Sequence, residues 1–218
     1  MSEILTTKEE LLNKLRSYAD TPDDDNIRIK EQIKDTFLNC PELLYAIHNK
    51  ELEPELFDED GNLNIDEDGN LTGEVDRYFG DSSNIRPFLF IPETQDEVKN
   101  YVCYQTSYGD FPRQSGYSKI PSDNNKEKIL IITFTIFVNG KDSMDKLTGI
   151  PRHDLIASII REKFAWIGLE ISTTTPFGDR ESTTDNNYLV RTLQYETILP
   201  NSICKTEGKN TFYNNKRW

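Results

Sequence analysis

Histidine is nearly absent from this chain: His48 and His153 are the whole supply in 218 residues. A Ser-His-Asp or Cys-His pair would have to use one of them. His153 stands between Arg152 and Asp154 at the start of an amphipathic segment, and His48 closes a short one. At such helix ends a polar or cationic residue is the ordinary occupant. The three cysteines (Cys40, Cys103, Cys204) are odd in number and widely spaced, so they read as reduced thiols made in a cytoplasm. There is no CxxC, no HExxH, no phosphate loop and no dinucleotide glycine pattern. No apolar run approaches the ~18 residues of a membrane span. The N-terminus lacks the basic and apolar regions of a secretory signal. Acidic side chains outnumber basic ones, 38 to 25. The net charge of −13 argues against general affinity for nucleic-acid phosphates. These absences lead to the expectation of a protein that is no enzyme and carries no cofactor.

What is present includes enough apolar residues (35%) to bury a core. The clearest stretch is 128–200. Lys128 to Gly140 is β-branched and apolar, as a buried strand requires. In 148–166, Leu155, Ile156, Ile159, Ile160 and Phe164, with Ile167 just beyond, recur at helical spacing, and Pro151 suits a first turn. In 187–200, Leu189, Leu193, Tyr195 and Leu199 alternate with polar neighbours. Strand, helix, strand makes a sheet with a helix on one face.

Upstream, Thr7 and Glu10 form a capping-box pattern ahead of the stripe Leu11, Leu12, Leu15 and Tyr18. Ile29, Ile33, Phe37 and Leu38 share a face of a second helix that ends at Cys40-Pro41, and a short third helix follows. Pro87 and Pro92 bracket an edge strand. From Val98 to Tyr108 another strand turns Tyr101, Cys103 and Gln105 away from Val102, Tyr104 and Thr106. Residues 109–125 read as a long binding or assembly loop. The expected fold is α+β, with a largely antiparallel sheet, one long amphipathic helix packed on a face, and an N-terminal helical subdomain. The expected divisions are helices in 1–50, an acidic hairpin or loop insertion in 51–83, the α+β core in 84–200 and a tail in 201–218.

Negative charge is concentrated. Eleven carboxylates and no Lys or Arg lie in residues 51–76. Within them Asp58-Glu-Asp-Gly-Asn-Leu recurs eight residues later from Asp66. A calcium loop would place Asn64, Asp66 and Asp68 at ligand positions, but Val75 stands where the bidentate Glu belongs. Tight turns with glycine at positive φ are the favoured reading. Asp58, Asp60, Asp66 and Asp68 are then candidates for an acidic surface facing a channel or a basic partner. The tail is opposite in character: Lys205, Lys209, Lys216 and Arg217 with Phe212, Tyr213 and Trp218. It either frays or docks on a neighbouring subunit. Arg86, Arg113, Arg152, Arg161 and Arg191 are candidates for a phosphate or partner patch, interface arginines being common.

The strand ending Phe137-Val-Asn-Gly, the loop Thr148-Gly-Ile-Pro-Arg-His-Asp, the helix from Leu155 to Phe164, and Ser182 to Tyr195 together resemble the core of tailed-bacteriophage neck proteins. The tail terminator (tail-completion) proteins and head–tail connectors are the nearest group. The resemblance spans about residues 85–200. It implies a structural virion protein, assembled in the host cytoplasm into a homo-oligomeric ring of roughly six or twelve copies. Such a ring meets other neck and tail proteins and passes DNA without sequence-specific binding or any membrane contact. Arg152, Arg161, Phe212, Tyr213 and Trp218 are the expected subunit-interface residues. The alternatives are a metal-dependent nucleic-acid enzyme and a calcium-stabilised tail or baseplate adhesion module.

Overall fold

The computed structural model describes residues 7–20, 25–67, 69–92, 98–109, 127–165, 168–169, 172–200, 203–206 and 209–212. Its centre is a five-stranded sheet in the order β1-β2-β3-β7-β6. The strands are β1 (Ile85–Arg86), β2 (Tyr101–Gly109), β3 (Glu127–Asn139), β6 (Thr175–Thr183) and β7 (Tyr188–Pro200). Among its described strand pairs only β1–β2 is parallel. Hairpins β4 (Gly168–Leu169) with β5 (Ser172–Thr173), and β8 (Ile203–Thr206) with β9 (Lys209–Phe212), lie outside it. The fold is α+β.

Strand alternation explains both faces of the sheet. Val102, Tyr104, Phe134, Ile136, Leu193 and Tyr195 project to one side and are buried. There they meet α2 (Asp25–Leu38), α3 (Pro41–Ile47) and α4 (Arg152–Phe164). Phe37 sits edge-on to Tyr104 and Phe164, with centroids 6.0 and 5.6 Å away, so helix and sheet interlock through aromatic rings. On the other side Tyr101, Cys103, Phe137, Tyr188 and Val190 form a smaller buried cluster covered by Phe90. Cys40 and Cys103 are free thiols, and burial pushes the pKa of both up to about 11.

Local signals set the helix starts. At α1 (Lys8–Asp20), the Thr7 amide donates to Glu10 Oε2 and the Glu10 amide donates to Thr7 Oγ1, both at 3.1 Å. Its Leu11, Leu12 and Leu15 are nevertheless exposed, whereas Ile29, Ile33, Phe37 and Leu38 of α2 are buried. The acidic segment is anchored to the same core, since Leu52, Leu56, Leu71 and Tyr78 belong to it.

Within that segment the two echoes fold alike. Asp58 Oδ1 accepts from the amides of Asp60 and Asn62, and Asp66 Oδ1 accepts from the amide of Asn70. Gly61 and Gly69 take φ of +83° and +84°, which glycine adopts without the clash a Cβ would make. Bridges between Phe57 and Leu63 and between Ile65 and Leu71 close the turns. These are the tight turns that the Asp-Gly-Asn pattern predicts.

Candidate functional site

The most heavily built polar structure lies where β2 begins and β3 ends. Helix α3 stops at Ile47, and His48 follows in the left-handed region, with φ 57° and ψ 53°. That turn aims the imidazole at the loop after β3, where Nδ1 lies 2.9 Å from Asp142 Oδ2. A carboxylate only accepts, so Nδ1 carries the proton in this contact. The same Oδ2 accepts from Asn100 Nδ2 at 2.8 Å and pairs with Arg152 Nε at 3.1 Å.

Asn100 also donates to the Ile47 carbonyl at 2.9 Å, while its Oδ1 accepts from the Asn139 amide. Asn84 donates to the Asn100 carbonyl and accepts from Asn49. Arg152 is 3% exposed, and its Nη1 donates to the Ala46 carbonyl at 2.9 Å. Side chains from well-separated parts of the sequence are thus locked together, which fixes the loop of residues 140–151 against α3.

That loop is rigid in its own right. Thr148 donates from its amide and its hydroxyl to Asp145 Oδ2, at 2.8 and 2.7 Å. The Asp145 amide donates to the Ile150 carbonyl, and Met144 bridges Pro151. The Thr148 hydrogen bonds, with smaller help from Arg152, hold the Asp145 carboxyl below its ordinary 3.8. Yet the loop points apolar side chains outward. Leu147 is 80% exposed, and Met144 and Ile150 are also exposed. Beside them opens a cavity of about 300 Å³ lined by Tyr45, His48, Glu53, Asp145, Leu147 and Arg152, with Lys146 also on its wall.

His48 Nε2 faces Glu53 at 3.9 Å, so both ring nitrogens meet carboxylates instead of a hydroxyl or thiol. Among the described residues no group of three or more His, Cys, Asp or Glu side chains is arranged to hold a metal.

The YomW family profile matches residues 41–197, from the start of α3 to near the end of β7. The chain belongs to the YomW family. That family is phage-associated, of the Bacillus prophage type. No curated protein matches the chain. The YomW match takes in the acidic turns, the polar network and the apolar loop, and leaves α1, α2 and the last residues of the chain outside.

The residues singled out in the sequence are placed as follows. Arg152, expected at a subunit interface, is buried and bonded to its own chain. Arg161 is partly exposed and donates to Asp179 at 2.6 Å. Arg191 reaches Asp179 with two nitrogens, at 2.7 and 3.0 Å, and also pairs with Asp154. Arg86 is buried, stacked 3.7 Å from the centre of the Phe90 ring. Arg161 and Arg191 thus meet at the shared Asp179 carboxylate, while Arg86 and Arg152 are buried against other partners. Arg113 lies outside the described residues.

Asp58, Asp60 and Asp66 are exposed, as an acidic surface requires, while Asp68 lies outside the described residues. Phe212 ends β9, and Tyr213, Trp218 and residues 110–125 are outside. His153 is buried at the start of α4, with Nε2 3.1 Å from Glu181. Sequence reasoning missed Asn84, Asn100 and Asp142. Their one signal is a polar residue just beyond each apolar strand end.

Proposed function

We propose that this YomW-family chain is a non-enzymatic structural protein of the phage particle, forming a ring of identical copies at the head–tail neck around the DNA channel. One observation carries the reading: a loop held to α3 by buried Arg152 and by Asn100, which bonds both Asp142 and the Ile47 carbonyl, presents Met144, Leu147 and Ile150 to solvent. Apolar side chains held rigid and exposed lose little entropy on docking, so they suit a permanent protein contact. The phage association of the family supports the setting. The acidic turns fit a lumen that repels phosphates and lets a duplex slide.

Mass measurement of the purified chain, alone and mixed with candidate neck and tail proteins, tests this. A closed assembly of fixed copy number in the mixture is the expected result. A single-copy species under every condition overturns it.

A further inference from the structure

The two ends of the sheet differ in character. The register pairs Asn139 with Tyr188 at one end and Glu127 with Pro200 at the other. The apolar loop, its cavity and Glu53 belong to the first end. The chain leaves β7 at Pro200, at the opposite end, after 13 residues of strand. At about 3.3 Å per residue the two ends lie roughly 40 Å apart.

What leaves at Pro200 is the chain's own complement to the first end. Residues 201–218 carry Lys205, Lys209, Lys216 and Arg217 against a single acidic side chain, Glu207, together with Phe212, Tyr213 and Trp218. The first end offers exposed apolar side chains and a cavity, at the start of a segment with eleven carboxylates and no cation.

The described part of the tail folds back on itself rather than running along the sheet toward that surface. The β8–β9 pairing of Ile203 with Phe212 returns the chain to its exit.

We infer that the basic, aromatic C-terminal segment of one copy docks on the apolar loop and cavity of the next, with Leu147 at the centre of the contact and the acidic segment facing the tail cations. Two different surfaces make the contact heterologous, the kind that propagates from copy to copy and closes into a ring when the rotation allows. The inference rests on the structural reading above and names the contact that would build the assembly.

Equal amounts of nitrogen-15-labelled and unlabelled full-length chain, treated with a zero-length carbodiimide cross-linker and analysed by mass spectrometry, test it. The expected products are mixed-isotope peptides joining Lys205, Lys209 or Lys216 to Glu51, Glu53, Glu55 or Asp58. Leu147→Asp, an exposed position whose folding is checked by circular dichroism, should lower their yield about tenfold, as loss of a central anchor does. Links confined to one isotope, links from the tail to other surfaces, no links, or an unchanged yield in Leu147→Asp each overturn the inference. Closed rings without tail links sink this contact and leave the ring reading standing. Tail links in a chain that never closes into a defined assembly do the reverse.

Discussion

Arg152 shows how much one side chain can organise. Its guanidinium reaches the Ala46 carbonyl and both Asp142 oxygens from a buried position. Replacing it with Met leaves the Asp142 carboxylate without its cation in a largely dehydrated site, which typically costs about 3–5 kcal/mol. Arg161→Ala removes a partly exposed pair and should cost no more than about 1 kcal/mol. Urea denaturation of the two variants separates the cases, and equal losses would contradict the roles assigned to them.

Asp145 adds a pH dependence of definite sign. Its folded-state pKa lies below the ordinary 3.8, chiefly through the Thr148 hydrogen bonds. The stabilisation is therefore present above about pH 4 and is lost as the pH falls through the lower folded value. Asp179, held low mainly by Arg191, acts in the same direction. Melting temperature should drop below about pH 4, and Asp145→Asn should show a shallower fall there than the parent.

Whole elements divide into those fixed by local chemistry and those fixed by distant contacts. The acidic turns are local. A methyl group at Gly61 would meet open space, but the backbone there holds a φ of +83°, so Gly61→Ala should cost about 1–2 kcal/mol from backbone strain alone. Asp58 and Asp66 already cap their own turns, and hydrogen bonds from the Asn62 backbone and side chain lead in keeping the Asp58 carboxyl low. Melting temperature should accordingly be the same with calcium as with a chelator. A rise with calcium would restore the adhesion-module alternative.

The capping box of α1, the buried face of α2, the two-sided alternation of β2 and the long pair β3–β7 were all legible, because each is a period or a cap written in neighbouring residues. Strand β6 was not. Thr-Pro-Phe-Gly-Asp-Arg-Glu-Ser-Thr lacks strand periodicity and contains a bulge between Pro176 and Gly178. It is a strand only because β7 offers it an edge and Arg161 and Arg191 hold Asp179. The polar network escaped for the same reason: Asn84, Asn100, Asp142 and His48 are far apart in sequence, and only the closed sheet brings them together.

At the scale of the molecule, negative charge is concentrated in one segment, and that concentration yields a test with a clear direction. The exposed carboxylates of Asp58, Asp60 and Asp66 project from turns whose backbone is tied to the core through Leu52, Leu56 and Leu71, so they are presented on a fixed platform. Repulsion from a fixed acidic surface acts on any duplex passing near it and is screened by salt over about 10 Å at 0.1 M. Changing Asp58, Asp60, Asp66 and Asp68 to Asn removes four charges. The substitution keeps an acceptor oxygen at each position, so the Asx turns and the fold should persist. In a phage assembled with this variant, DNA release should slow relative to the parent, and the difference should shrink as salt rises. Release at the parent's rate at low salt would show that the acidic turns have no part in the passage of DNA, and would leave the tail of a neighbouring copy as the partner they face.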